Sequence, residues 1–184
     1  MTRPRLIALT GRSGVRRGEE PRELCVVLAC HQLVCALPTR WIERLVMPGE
    51  VASIAPTPSP GDAHAPPLVL VGERHFAAWD LGVLLGLPPL GDAWVLLRVP
   101  HRGATLPIAL HTGTCLVVQP LAPGVSFPAG AFRARPGAVV SALPTNTIKS
   151  RLAVELALWI DPAQLWREDE LDLAVRALAA AGQA

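Results

Sequence analysis

The stretch "VLVGERHFAAWDLGVLLGLPP", residues 69–89, changes character halfway. Its first part reads as two short extended pieces around a turn at Gly72–Arg74, which leaves Glu73 and Arg74 exposed at the tip. After Trp79-Asp80 the apolar residues crowd together as they do on a helix. Asp80 stands where an N-cap belongs, and Gly86 with Pro88 behind it supplies the stop. The expectation is a strand that ends in a capping aspartate and one turn of helix, which plugs the end of a small barrel.

Outward from that stretch the chain is punctuated in the same manner. Nineteen prolines and fifteen glycines in 184 residues cut it into short segments, and 51% hydrophobic content with only 17% charged residues makes those segments globular ones. "LCVVLACHQLVCAL", residues 24–37, reads as two strands closing on a turn at His31-Gln32, with "RWIERLVM" continuing the second strand towards Pro48-Gly49. The five prolines of residues 54–67 make a stiff, extended connection without ladder hydrogen bonds. "AWVLLRVP" and "LPIALHTG" flank the turn "HRGA", "TCLVVQPL" follows, and one more strand is expected around Ala138 to Ala142. In "RLAVELALWI", residues 151–160, alternate residues share a face. Nine or ten strands with little helix make an all-β architecture, and two clusters of strands divided near residue 90 suggest two lobes.

Asp161-Pro162 reads as a helix start, and an amphipathic helix is expected over residues 162–184. Its apolar stripe is Leu171, Val175 and Leu178, and Gly182 ends it. Docking on the rest of the chain is the preferred role of this stripe, joining a partner's helix the other.

Residues 1–22 hold six arginines against Glu19 and Glu20, so this arm carries 6 − 2 = +4 and the remainder of the +2 chain carries −2. A basic arm on a mildly acidic body reads as a solvated tail, and nucleic-acid binding by it is the alternative from another functional class. No apolar leader follows the first arginines, which points to a cytoplasmic protein. Residues 103–132 carry no charged residue, but four prolines divide them into strand-length pieces and no membrane span is expected. Cys25, Cys30 and Cys35 recur at intervals of five, unlike the paired cysteines of zinc sites, and with Cys115 they read as reduced thiols with no metal and no cofactor. No Gly-x-Ser-x-Gly elbow and no phosphate-binding loop occurs, so no catalytic residues are assigned.

The order of strand, Gly-containing turn, strand ending in Asp-Leu, and helical turn ending Leu-Gly resembles the CheW-like domain. "VVLACHQLVCALPTRWIERLV" is similar to that family's opening hairpin and "AWVLLRVPHRGATLPIAL" to its second-lobe hairpin. The resemblance spans about residues 24–161 and rests on hydrophobic patterns. It implies two small five-stranded barrels packed together over residues 23–161, without catalytic chemistry. It further implies a scaffold that joins chemoreceptors, or other CheW-like domains, to the regulatory domain of a CheA-type histidine kinase.

Two departures bear on partners. After the aliphatic position Ile42 the family carries a variable residue and then a glutamate, whereas this chain has Glu43 and then Arg44. The family's Asn-Leu-Arg-Gly turn is here Val69-Leu70-Val71-Gly72, with Val71 in place of the arginine. The partner surface expected from the resemblance is the edge strand around Ile42 to Met47 and the turn at Val71 to Arg74. Its residues are Trp41, Ile42, Glu43, Arg44, Met47, Val71, Glu73 and Arg74, with Trp41 and Met47 of the types that anchor interfaces. Changed charges at two of these positions imply a changed partner.

Overall fold

The computed structural model describes residues 22–31, 33–55, 65–91, 93–126, 135, 137–143, 148 and 156–182. All of the basic arm except Arg22, residues 56–64 of the proline-rich connection and residues 151–155 lie outside this set.

Among the described residues twelve strands make two sheets. β1 (Glu23–Cys30), β2 (Leu33–Pro38), β9 (Cys115–Leu121), β10 (Val125–Ser126), β11 (Val139–Leu143) and β12 (Leu156–Ile160) form one, in the order β10-β11-β12-β2-β1-β9. β3 (Ile42–Val46), β4 (Val51–Ala55), β5 (Leu68–Val71), β6 (Arg74–Asp80), β7 (Ala93–His101) and β8 (Ala104–Thr112) form the other, in the order β3-β7-β8-β6-β5-β4. Each sheet has a single parallel pair at its middle, β12 with β2 and β6 with β8, and antiparallel pairs around it. The chain is thus mostly β in two lobes with a helix at the end, as the sequence leads one to expect, with six strands in each sheet among the described residues where five were expected.

The lobes are not divided near residue 90. The chain leaves the first sheet after β2, builds the whole second sheet from β3 to β8, and returns at Gly113 to complete the first. The return needs glycine, because a Cβ at Gly113 would meet the Ala29 carbonyl oxygen at 2.1 Å. "RWIERLVM" likewise does not prolong β2: a 3-10 turn at Thr39–Trp41 breaks the strand and delivers β3 to the far edge of the second sheet.

Alternation along the strands explains why two sheets stay together. On β1 and β2, Cys25, Val27, Val34 and Ala36 face a core inside the first lobe that also holds Leu121, Leu143 and Trp159. On β7, Trp94 and Leu96 join Val69, Val71, Phe76 and Ala78 in the core of the second. The opposite faces of the same strands are also apolar, and Val26, Leu28, Cys35, Leu37, Val95, Leu97, Ile108, Leu110 and Leu158 meet in one layer between the lobes. Strands buried on both faces read as continuous apolar runs, which is what "LCVVLAC" and "WVLLRV" are. All three cysteines of the opening hairpin are buried, and burial pushes the Cys25 thiol up to about 12.

The strand-to-helix junction forms as expected. α1 (Leu81–Leu84) is one turn long, with Asp80 Oδ1 accepting from the Val83 amide at 3.0 Å. The other oxygen accepts from the Leu90 amide at 2.8 Å and lies 3.2 Å from His111 Nδ1, so one carboxylate ties the helix, its exit segment and the parallel partner strand. Gly86, at φ 76°, turns the chain out, and Leu81, Leu84 and Leu85 enter the layer between the lobes.

The terminal helix starts later than its sequence pattern suggests. Asp161 caps a 3-10 turn at Pro162–Gln164, and α2 (Glu168–Ala180) begins only after Arg167, whose amide donates to Glu170 Oε2 at 2.8 Å. The reason is packing: Leu165 and Trp166 are buried in the layer between the lobes before the helix begins, and Trp166 meets Trp79 edge to face at 5.7 Å. Leu171, Ala174, Ala177 and Leu178 follow them inward, while Val175, placed on the apolar stripe by spacing, is 37% exposed. Two ionic clamps hold α2 in place. Asp172 accepts from His101 at 2.7 Å and from Arg102 at 2.7 Å, and Arg135 binds Glu170 through both terminal amino groups at 2.8 and 2.7 Å. None of the described helices is long and apolar enough to cross a membrane.

Removing the junction carboxylate with Asp80→Ala leaves two amides and a histidine without their acceptor and should cost about 2 kcal/mol in urea unfolding. The hydrogen bond from His101, with the charges of Arg102 and Arg176 beside it, holds the Asp172 carboxyl below its ordinary value. Folding therefore lowers this pKa, so the clamp contributes fully above the unfolded carboxyl's value of about 3.9 and is lost as pH falls through the lowered one. The stability gap between the natural chain and Asp172→Asn should be fully open above the unfolded carboxyl's value and narrow as pH falls below it, as read by urea titrations across that range.

Candidate functional site

β3 is the edge of its sheet: one side pairs with β7 and the other pairs with no strand among the described residues. An edge strand presents unpaired amides and carbonyls, and its side chains decide whether anything adds to them. Here Leu45 is 39% exposed and Met47, just past the strand, is 68% exposed, while Val46 between them is buried in the lobe's core. The alternation that buries Val46 aims its neighbours outward.

The acidic position is not displayed. Glu43 is held between two arginines, accepting from Arg74 Nη1 at 2.5 Å and from Arg98 Nε at 3.0 Å, with its side chain 18% exposed. Partial burial pushes this carboxyl up, and the hydrogen bonds from Arg98 and Arg74 more than offset it, leaving it below the usual carboxylate range. The contact has a topological cause. β3 is one edge of the sheet and Arg74 opens β6, three strands along, so the sheet curls until the β5–β6 turn comes over Glu43. Arg74 also stacks on Phe76 at 5.1 Å.

Arg44 points to solvent and pairs with Glu50 at 3.4 Å, an exposed contact of small energy. Glu73 is exposed beside Gly72, whose φ of 63° makes the tight turn. Trp41 and Ile42 are partly buried and pack against the layer between the lobes. Val71 is 7% exposed and faces the core of the second lobe, which removes it from any docking surface. The structure therefore gathers Glu43 and Arg74 at one edge, places Leu45, Met47 and Arg44 along it, and withdraws Val71.

Two residues absent from the sequence reading belong to this edge. Arg98 lies on β7 next to the Ile42–Leu97 pairing, and Arg40 stacks over the Trp41 ring at 5.6 Å while pairing with Glu23. Arg98 has a signal in the sequence: it is a lone charge inside the apolar run "WVLLRVP". Arg40, Trp41, Arg98, Pro100 and Thr105 line a groove of about 310 Å³.

Elsewhere the titratable side chains act in the frame. His111 stacks on Trp94 at 4.2 Å beside Asp80, His101 clamps α2, and His31 donates to the Pro88 carbonyl at 3.0 Å. No group of three or more His, Cys, Asp or Glu able to hold a metal occurs among the described residues.

No protein-family model and no curated protein matches the chain by sequence. Among solved structures its fold is similar to that of the scaffolding protein TtCheW from Thermoanaerobacter tengcongensis, with a TM-score of 0.57 at 12% identity. The match covers 82% of this chain and 96% of that one, so it takes in both lobes of a CheW-like fold.

Proposed function

We propose that the chain is a non-enzymatic adaptor of a chemotaxis-like signalling complex, which docks the regulatory domain of a CheA-type histidine kinase, or a replacement for it, on the β3 edge. The observation that carries this reading is an edge strand with one open ladder side and two exposed apolar residues, Leu45 and Met47, on a fold shared with a scaffolding protein. A partner strand adding to β3 would gain main-chain hydrogen bonds from the ladder and affinity from Met47 and Leu45. A chemoreceptor or a further CheW-like domain would be held by the same body. The output is a fixed relative geometry of partners in the cytoplasm, with no turnover.

Charge sets the selectivity in this reading. Glu43 is spent within the chain, so the groups offered to a partner are the guanidinium faces of Arg44, Arg74 and Arg98. Such rim charges act more on association rate and on partner choice than on affinity.

Calorimetric titration of the full chain with the regulatory domain of a CheA-type kinase from the same genome tests the assignment. Leu45→Asp and Met47→Asp, both at exposed positions, should leave the unfolding free energy within about 0.5 kcal/mol of the natural chain and lower affinity by about 100-fold when combined. Unchanged affinity in the folded double variant would contradict the edge assignment, and absence of binding by the natural chain would contradict the partner.

A further inference from the structure

The groove beside the β3 edge is chemically one-sided. Arg40 and Arg98 stand at it with side chains 56% and 64% exposed, Trp41 and Pro100 give it apolar walls, and Thr105 adds a hydroxyl. Arg98 meets Glu43 through Nε alone, and Arg40 meets Glu23 through Nη1 alone. Each guanidinium thus keeps donors that bind no group among the described residues. The Trp41 indole N–H is buried and likewise has no acceptor among the described residues. Donors therefore outnumber acceptors around an apolar floor, and this asymmetry selects the ligand: a carboxylate satisfies guanidinium donors, while an adjoining ring or aliphatic chain covers Trp41 and Pro100.

We propose that this groove binds an acidic segment of the partner protein, with a carboxylate side chain set between Arg40 and Arg98 and a neighbouring apolar side chain against Trp41 and Pro100. The inference rests on the adaptor reading and deepens it. The β3 edge supplies main-chain pairing, and the groove, which opens where Trp41 leads into β3, reads the sign of charge on the incoming chain. The internal carboxylates Glu23 and Glu43 already show the pairing preference of both arginines. Attraction between partly exposed charges weakens with salt, so selectivity for the acidic segment should fall as ionic strength rises.

The test uses the full chain, labelled with nitrogen-15, and a short peptide with the core Glu-Phe-Glu, against a counterpart with Gln-Phe-Gln. The indole N–H signal of Trp41, identified by its loss in Trp41→Phe, is followed during titration. The acidic peptide should shift that signal to saturation and bind about tenfold or more tightly than the neutral one. Arg40→Met and Arg98→Met should each remove about tenfold, whereas Arg44→Met, outside the groove, should change little. Equal binding of the two peptides, an unmoved Trp41 signal, or indifference to both groove substitutions would overturn the proposal. Inorganic phosphate reproducing the full shift while the peptide is inert would overturn it as well, by marking a simple anion site. No kinase enters this titration, so the two readings fail separately. Inert peptides with kinase binding intact reject the groove assignment alone, and selective peptide binding without kinase binding rejects the kinase and keeps the groove's specificity.

Discussion

The apolar layer between the two sheets is the constraint on which the rest depends. A small sheet curled around its own core hides one face only, and here the other face of β1, β2, β7, β8 and β12 is equally apolar. Neither lobe can leave that face in water at an acceptable cost, since each fully buried Leu, Ile or Val is worth about 1.5–3 kcal/mol. The two outer faces therefore cover each other. Once they do, α1 and the Leu165-Trp166 segment become plugs of the same layer, and the inward stripe of α2 closes its open flank. The terminal helix is thus part of the frame, pinned by Asp172 and Glu170, and its apolar face is occupied.

The same constraint decides which surface is left for partners. With β7, β8 and β6 committed to both cores, β3 is pushed to the rim of its sheet, where a free ladder side meets Leu45 and Met47. Curling of the sheet then brings Arg74 across to Glu43, and Arg98 comes up beside it from β7. Glu43 is neutralised inside the chain, and the edge faces outward with guanidinium groups. With Glu43 paired internally, Arg44 lies exposed beside it on the same strand.

Local punctuation and the hairpins it closes were legible, and longer-range pairing was not. The turn at Gly72, the Asp80 cap, the stop at Gly86 and the hairpin tip at Arg102-Gly103 are written in residues that admit few conformations, and all form where the sequence puts them. Which sheet a strand joins depends on contacts far along the chain. For that reason the passage of "RWIERLVM" to the second sheet, the return at Gly113 and the division of the lobes escaped a reading of neighbouring segments. In α2 the spacing of large residues suggested Val175, but the helix packs too close for it, and Ala174 and Ala177 face the layer in its place. At the candidate site, the edge character of residues 42–47 was readable from position and composition. The Glu43–Arg74 and Glu43–Arg98 pairs, 31 and 55 residues apart, were not, because nothing local marks them. Val71 was assigned to the partner surface by its place in the resembling turn, and the strand's alternation turns its side chain into the second lobe's core instead.

Hydrogen exchange along the full chain, with and without the regulatory domain of a CheA-type kinase, tests most directly the claim that the β3 edge is the docking surface. The account predicts slowed exchange confined to residues 41–47 and the adjoining 72–74 turn, with the opposite rim at β9 unchanged. Protection at β9 or α2, with β3 exchanging as in the free chain, would contradict it.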